Sequence, residues 1–158
     1  MRSSLVSLIV AGLLVLVAGC GSGSPFPGSY YGDLGMQLAS TGGGQHGFSN
    51  VDLLVNVYDE GGGSDVEGTD LTVEISTVSA CTVYGTTDGN DVLFPEQYPF
   101  CSVTDGTLVW TLDGVSGSGT ISGDQLTLVL GGGYEEEGGS DTGTFTASYL
   151  GIFEPGTR

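Results

Sequence analysis

The chain has no lysine, and its two arginines, Arg2 and Arg158, stand against nineteen aspartates and glutamates for a formal charge of −17. Such a surface neutralises no phosphates and is repelled by anionic headgroups, so nucleic-acid binding and electrostatic membrane docking are excluded. Histidine is nearly absent too. His46 is the only one, set in Gly42-Gly43-Gly44-Gln45-His46-Gly47, so a Ser-His-Asp site would hang on one base in a glycine loop; the plain reading is a solvent-exposed loop residue. No glycine-rich stretch carries the lysine of a phosphate-binding loop or leads into a helix. Carboxylates abound, but in a chain this acidic their abundance does not single out a glycosidase pair. Three cysteines cannot all pair within one chain. No stretch of a dozen residues repeats apolar positions at helical spacing, which excludes amphipathic helices.

The first twenty residues hold the longest apolar run. Arg2, the stretch from Leu5 to Val17, and Ala18-Gly19-Cys20 follow one another, the order of a secretion signal that is too short to span a bilayer and is expected to be removed. Val17-Ala18-Gly19-Cys20 closely resembles the lipobox of bacterial lipoproteins. The resemblance implies cleavage before Cys20, a diacylglyceryl group on that cysteine as the lipid attachment, and a membrane partner reached through the lipid. Gly21, where inner-membrane retention commonly uses Asp, implies the outer membrane of the cell envelope. The competing readings are a cleaved signal with Cys20 left as a free thiol, and a signal anchor that is never cut. If Cys20 carries lipid, Cys81 and Cys101 remain as one disulfide, in keeping with an exported compartment, and no thiolate or zinc cluster is left. The organisation is a signal peptide over 1–19, a lipidated cysteine and tether over 20–28, and a β-domain over 29–154. The tether, Gly21-Ser-Gly-Ser-Pro-Phe-Pro-Gly28, reaches ~15 Å as a random coil.

Beyond the tether the apolar residues alternate with period two, which predicts an all-β domain. Tyr30, Gly32, Leu34, Met36 and Leu38 share one face of a first strand. Val51, Leu53, Val55 and Val57 repeat the pattern, then Leu71, Val73 and Ile75, then a shorter run through Cys81 and Val83. Leu108, Trp110 and Leu112 follow, then Val115 to Ile121, Leu126, Leu128 and Leu130, and finally Phe145, Ala147, Tyr149, Gly151 and Phe153. Asp113-Gly114 and Ser122-Gly123-Asp124 are turn signals that favour hairpins between sequence neighbours. An antiparallel meander of about 7–9 strands is expected, closed into a small barrel or folded as a sandwich. Glycines 117, 119, 123 and 151 mark bulges, bends or close backbone approaches.

The stretch Gly117-Ser118-Gly119-Thr120-Ile121-Ser122-Gly123-Asp124-Gln125-Leu126-Thr127-Leu128, with Gly143-Thr144-Phe145-Thr146-Ala147 and the opening Gly28-Ser29-Tyr30-Tyr31-Gly32, is similar to small lipocalin-like bacterial lipoproteins. The resemblance implies an architecture and no ligand residues.

Cys81 and Cys101 enclose an aromatic segment, Leu93-Phe94-Pro95-Glu96-Gln97-Tyr98-Pro99-Phe100, read as a stapled long connection or a rigid contact loop. Two acidic glycine-rich loops, Asp59 to Asp70 and Tyr134 to Asp141, offer oxygens for Ca2+ without EF-hand spacing, and Gly89-Asn90-Asp91-Val92-Leu93 matches one copy of a calcium-binding nonapeptide; solvated loops are favoured over a metal site. The reading is a membrane-anchored, non-catalytic structural or interaction module of the envelope, with no cofactor, meeting a protein partner through loops 39–48, 59–70 and 85–100. One alternative is a lipocalin-like protein binding a small apolar ligand against Leu34, Met36, Val55, Val73, Trp110 and Phe145, residues that would equally fill a solid core. Another is a calcium-dependent adhesion module.

Overall fold

The computed structural model describes residues 25–59, 68–76, 80–99 and 101–155. The signal segment, Cys20, the start of the tether, Glu60, Asp65 and Glu67 of the first acidic loop, Phe100 and Arg158 lie outside the described residues.

Period-two alternation becomes nine antiparallel strands: β1 (Gly28–Ser40), β2 (Gln45–Asp59), β3 (Leu71–Ser76), β4 (Ala80–Asp88), β5 (Asp91–Gln97), β6 (Cys101–Thr104), β7 (Val109–Ser122), β8 (Gln125–Glu136) and β9 (Thr142–Phe153). Apart from β5 and β6, neighbours in sequence pair with one another; β9 returns to β1, and β5 pairs with β7, which closes the sheet into a barrel of eight positions. The eighth position is shared. β5 lies along Val115–Thr120 of β7, and β6 lies along Val109–Leu112 of the same edge, so β5 and β6 are one stave interrupted at Pro95 and Pro99. Closure hides the strand edges that an open meander would expose.

The inward faces are those the alternation marks. Tyr30, Leu38, Val55, Leu71, Val83, Leu126 and Trp110 have no exposed surface, and Val73, Leu128, Phe145 and Tyr149 are nearly as buried. Each such side chain contributes on the order of 1.5–3 kcal/mol on burial. Gly117 is required by close approach, since a Cβ there would overlap the Val129 carbonyl oxygen of β8.

Aromatic residues shut both ends of the barrel. At the end where the chain enters, Phe26 is fully buried, Tyr30 Oη donates to the Phe26 carbonyl at 2.9 Å, and Tyr149 Oη donates to the carbonyls of Tyr30 and Leu53 at 2.8 and 3.2 Å. Burial pushes the Tyr149 phenol well above its ordinary pKa. Phe26 and Gly28, placed by sequence in the tether, thus belong to the barrel. At the far end, Phe48 stacks on Trp110 with centroids 6.0 Å apart and planes 11° from parallel, and the His46 ring lies 5.6 Å from the same indole.

Four expectations change. Asp113-Gly114 is no hairpin: β7 runs through it with a register shift, and Gly114 at φ 56° supplies a bulge, because the same left-handed glycine serves either purpose. Leu108 is exposed and precedes the strand. Up to Gln97 the segment between the cysteines is the β4–β5 hairpin and not a loop, turning at Gly89-Asn90, so the nonapeptide match begins in a two-residue turn and continues into β5. His46 lies within β2, outside the turn formed by Thr41–Gly44.

Candidate functional site

β2 carries one residue more than β1 around Asp52. Gly32 pairs with Leu53 and Leu34 with Asn50, and Asp52 takes φ 54°, Asp being one of the few residue types that tolerate the left-handed region. The bulge divides β2. Residues 55–59 pair with β3, whereas residues 45–50 continue against β1 alone. On the other side β6 likewise pairs only with β7. The β3–β4 ladder runs as far as the pair Ser76–Ala80, and beyond that pair the described residues leave a notch framed by β2 on one side and β6 on the other.

That notch is a cleft of about 290 Å3 lined by Leu34, Phe48, Ser49, Asn50, Val103, Thr104 and Asp105. Directly inside is a void of about 20 Å3 with no polar lining atoms, bounded by residues that include Met36, Ile75, Leu112, Leu130, Phe145 and Ala147. Leu34 and Val103 line both spaces. The void has room for about one water, but a water needs two or more polar partners, so it stays dry.

Backbone groups complete the notch. Ser40 N–H bonds the Gly44 carbonyl, which fixes the ladder alternation in the upper half of β1–β2: His46, Phe48 and Asn50 turn their backbone groups to β1, and Gly47 and Ser49 turn theirs to the open edge. On β7, the Glu137 N–H donates to the Val109 carbonyl, so the backbone groups of Trp110 and Leu112 face β6 and Thr104 directs its own away from β7, into the notch. Behind Phe48 and opposite Val103 stands Trp110, whose indole Nε1 is buried with no hydrogen-bond partner among the described residues. An orphaned buried donor costs about 1–3 kcal/mol.

Charge at the rim is negative. Asp105 Oδ1 accepts the Thr107 and Leu108 N–H groups at 2.8 and 2.9 Å, and these bonds, that from Leu108 foremost, hold its carboxyl below the ordinary range. Beside the turn between β1 and β2, Asp141 accepts hydrogen bonds from Ser40 Oγ and, at 3.0 Å, from Tyr134 Oη; the Ser40 bond chiefly lowers its pKa. Among the described residues no three His, Cys, Asp or Glu side chains are grouped to hold a metal ion.

Of the residues singled out from sequence, Cys81 and Cys101 are joined, with Cα atoms 4.7 Å apart. Leu34, Met36 and Phe145 meet around the void, Trp110 is buried beside Phe48, and Val55 and Val73 are buried in the core without lining the void. Phe94 of the aromatic segment is interior, whereas Leu93 and Tyr98 are exposed. Sequence reading missed Phe48, Ser49, Asn50, Val103, Thr104 and Asp105. Two of them carry a signal: Val103 is apolar two positions after Cys101, and Phe48 stands two positions after His46, whose ring meets the same indole. The chain matches no protein-family model, no curated protein and no solved structure.

Proposed function

We propose that this chain is an exported binding protein, held to an envelope membrane by lipid on Cys20, whose barrel takes the apolar part of a ligand through the side notch without catalysing a reaction. One observation carries the reading: Leu34 and Val103 form at once the floor of the 290 Å3 cleft and the wall of a dry apolar void. A lumen-type site is not what supports it. The apolar void behind the cleft holds only about 20 Å3, and aromatic residues stand at both ends of the barrel, so ligand approaches between β2 and β6 and an apolar group settles over Leu34 and Met36. Uniform acidity favours a neutral or cationic ligand.

Native mass spectrometry of the chain from residue 21 onward, secreted behind a cleavable leader and purified without detergent, tests this. The closed barrel leaves no described strand dependent on residues 1–20. The reading expects a retained organic mass that is lost in Leu34→Asp. A bare polypeptide that also takes up no neutral apolar dye contradicts it.

A second reading, an interaction module, is favoured by the outer surface. Tyr31 lies opposite Ile152, and with Leu150 and Val129 these half-exposed side chains make an apolar face on β1, β9 and β8 at the chain-entry side.

A further inference from the structure

We infer that the outer face of β8, β9, β1 and β2 on the chain-entry side docks on a zwitterionic phospholipid bilayer, so that the barrel rests against the membrane by its wall. The inference rests on the membrane attachment proposed at Cys20 and names the surface that this attachment brings to the lipid.

Strand register builds the face. Tyr31 of β1 stands between Ile152 of β9 and Leu54 of β2, and Leu150 and Val129 continue the apolar surface over β9 and β8. Tyr31, Val129, Leu150 and Ile152 are about half exposed. The outward positions between them, Gln125, Thr127, Ser148 and Gly35, are uncharged, and Asp33, opposite Leu150, is the one carboxylate in the set. In a chain with nineteen acids, this stretch of wall is the place where apolar side chains replace charge. Contiguous exposed apolar side chains mark an interaction site, and tyrosine suits a bilayer surface, where its ring meets the acyl chains and its hydroxyl meets water.

Chain length selects the occupant. Pro25 is five residues after Cys20, at most ~18 Å of extended chain. Tyr31 lies three residues beyond Gly28, ~10 Å along β1. Acyl chains on Cys20 therefore hold the face within reach of the bilayer, and so short a tether makes an intramolecular contact of one too weak to form from solution. A second copy fits the face less well. Four half-exposed side chains fall well short of the ~800 Å2 per partner that a standard interface buries, and two chains of charge −17 repel each other. Asp33, with Asp124 and Glu154 at the strand ends, sets the lipid class. Anionic headgroups repel these carboxylates, whereas zwitterionic ones carry a cation outermost. Orientation follows from strand order. With β5 and β6 counted as one stave, β4 lies four staves from β9 in either direction, so docking through β9 turns the notch beside β3 and β4 to the aqueous side.

The test uses the full chain, produced in a bacterial host that processes lipoproteins and reconstituted into phosphatidylcholine vesicles whose acyl chains are dibrominated, since bromine quenches indole on contact. Trp110, the only tryptophan and fully buried, supplies the background. The indole introduced by Tyr31→Trp is expected to be quenched several-fold more than that introduced by Thr82→Trp, on the opposite wall beside Glu74. Leu150→Trp is a second probe expected to behave as Tyr31→Trp does. Adding Leu150→Glu and Ile152→Glu to Tyr31→Trp abolishes its quenching while the protein still floats with the vesicles, and replacing half of the phosphatidylcholine by phosphatidylglycerol weakens it. Flotation with equal quenching at positions 31 and 82, or with none at either, means that the domain tumbles on its tether and overturns this inference alone. Quenching that survives the two glutamates overturns it too, as does a concentration-dependent dimer in sedimentation that Tyr31→Lys dissolves, which gives the face to a second copy. Failure to float overturns the attachment at Cys20 together with this inference.

Discussion

The side-chain amide of Gln97 stands in for a missing strand beside Tyr84. Its Oε1 accepts the Tyr84 N–H at 2.8 Å, and its Nε2 donates to the Tyr84 carbonyl at 2.9 Å. Those two bonds reproduce a backbone ladder pair. They occur where the shared stave breaks between β5 and β6, with the β4–β5 ladder from Thr86 to Asp88 above them and the Cys81–Cys101 bridge below. The seam is therefore closed three ways in succession, by backbone, side chain and disulfide.

Gln97→Leu removes the two hydrogen bonds that the Gln97 amide makes to the Tyr84 N–H and carbonyl, at a position where Gln97 itself is only 7 % exposed. A loss of about 2 kcal/mol is expected, read as a lower urea midpoint with an unchanged slope. An unaltered midpoint means water replaces the amide.

Replacing both Cys81 and Cys101 by Ser opens a loop of twenty residues' separation and is expected to cost about 3 kcal/mol. Combined with Gln97→Leu the losses will not add, because both act on one seam. A double-mutant cycle in urea measures the coupling, and strict additivity speaks against a shared seam.

Gly117→Ala places a Cβ against the Val129 carbonyl and the Leu130 side chain. The β7–β8 ladder must shift, at a cost of about 1–3 kcal/mol. Gly138, whose Cβ direction is empty, resists substitution only through its left-handed backbone, so Gly138→Asn is expected to be far milder in thermal melts.

Acid titration follows from Asp105 and Asp141, both held below the ordinary carboxylate range by hydrogen bonds. A lowered folded pKa means that their stabilisation is complete above the unfolded value of about 4 and is lost as pH falls through the lower folded values. Asp141→Asn should reduce Tm at neutral pH and converge with the parent protein in strong acid. A constant difference at every pH contradicts the assignment.

Sequence pattern made the barrel legible wherever a strand has one wet face. Leu34, Met36 and Leu38, or Leu126, Leu128 and Leu130, alternate cleanly because the residues between them face outward. It failed at Val92-Leu93-Phe94, where an exposed Leu93 sits between two inward residues and erases the alternation, and at Pro95 and Pro99, which disguise a broken stave as a loop. Asp113-Gly114 misled because bulges and hairpins draw on one backbone conformation. Interior candidates Leu34, Met36, Phe145 and Trp110 gather at one end, yet the notch was invisible, since it arises from strands of unequal length pairing over part of their extent. Local sequence does not encode that pairing.

The most direct test of the account is the position of an apolar ligand on the barrel. In a 1H–15N NMR titration with N-phenyl-1-naphthylamine, shifts confined to Leu34, Phe48 to Asn50, Val103 to Asp105 and the Trp110 indole N–H are predicted. Shifts gathered instead on Tyr31, Leu150 and Ile152, with the notch signals unmoved, would contradict it and assign binding to the outer face.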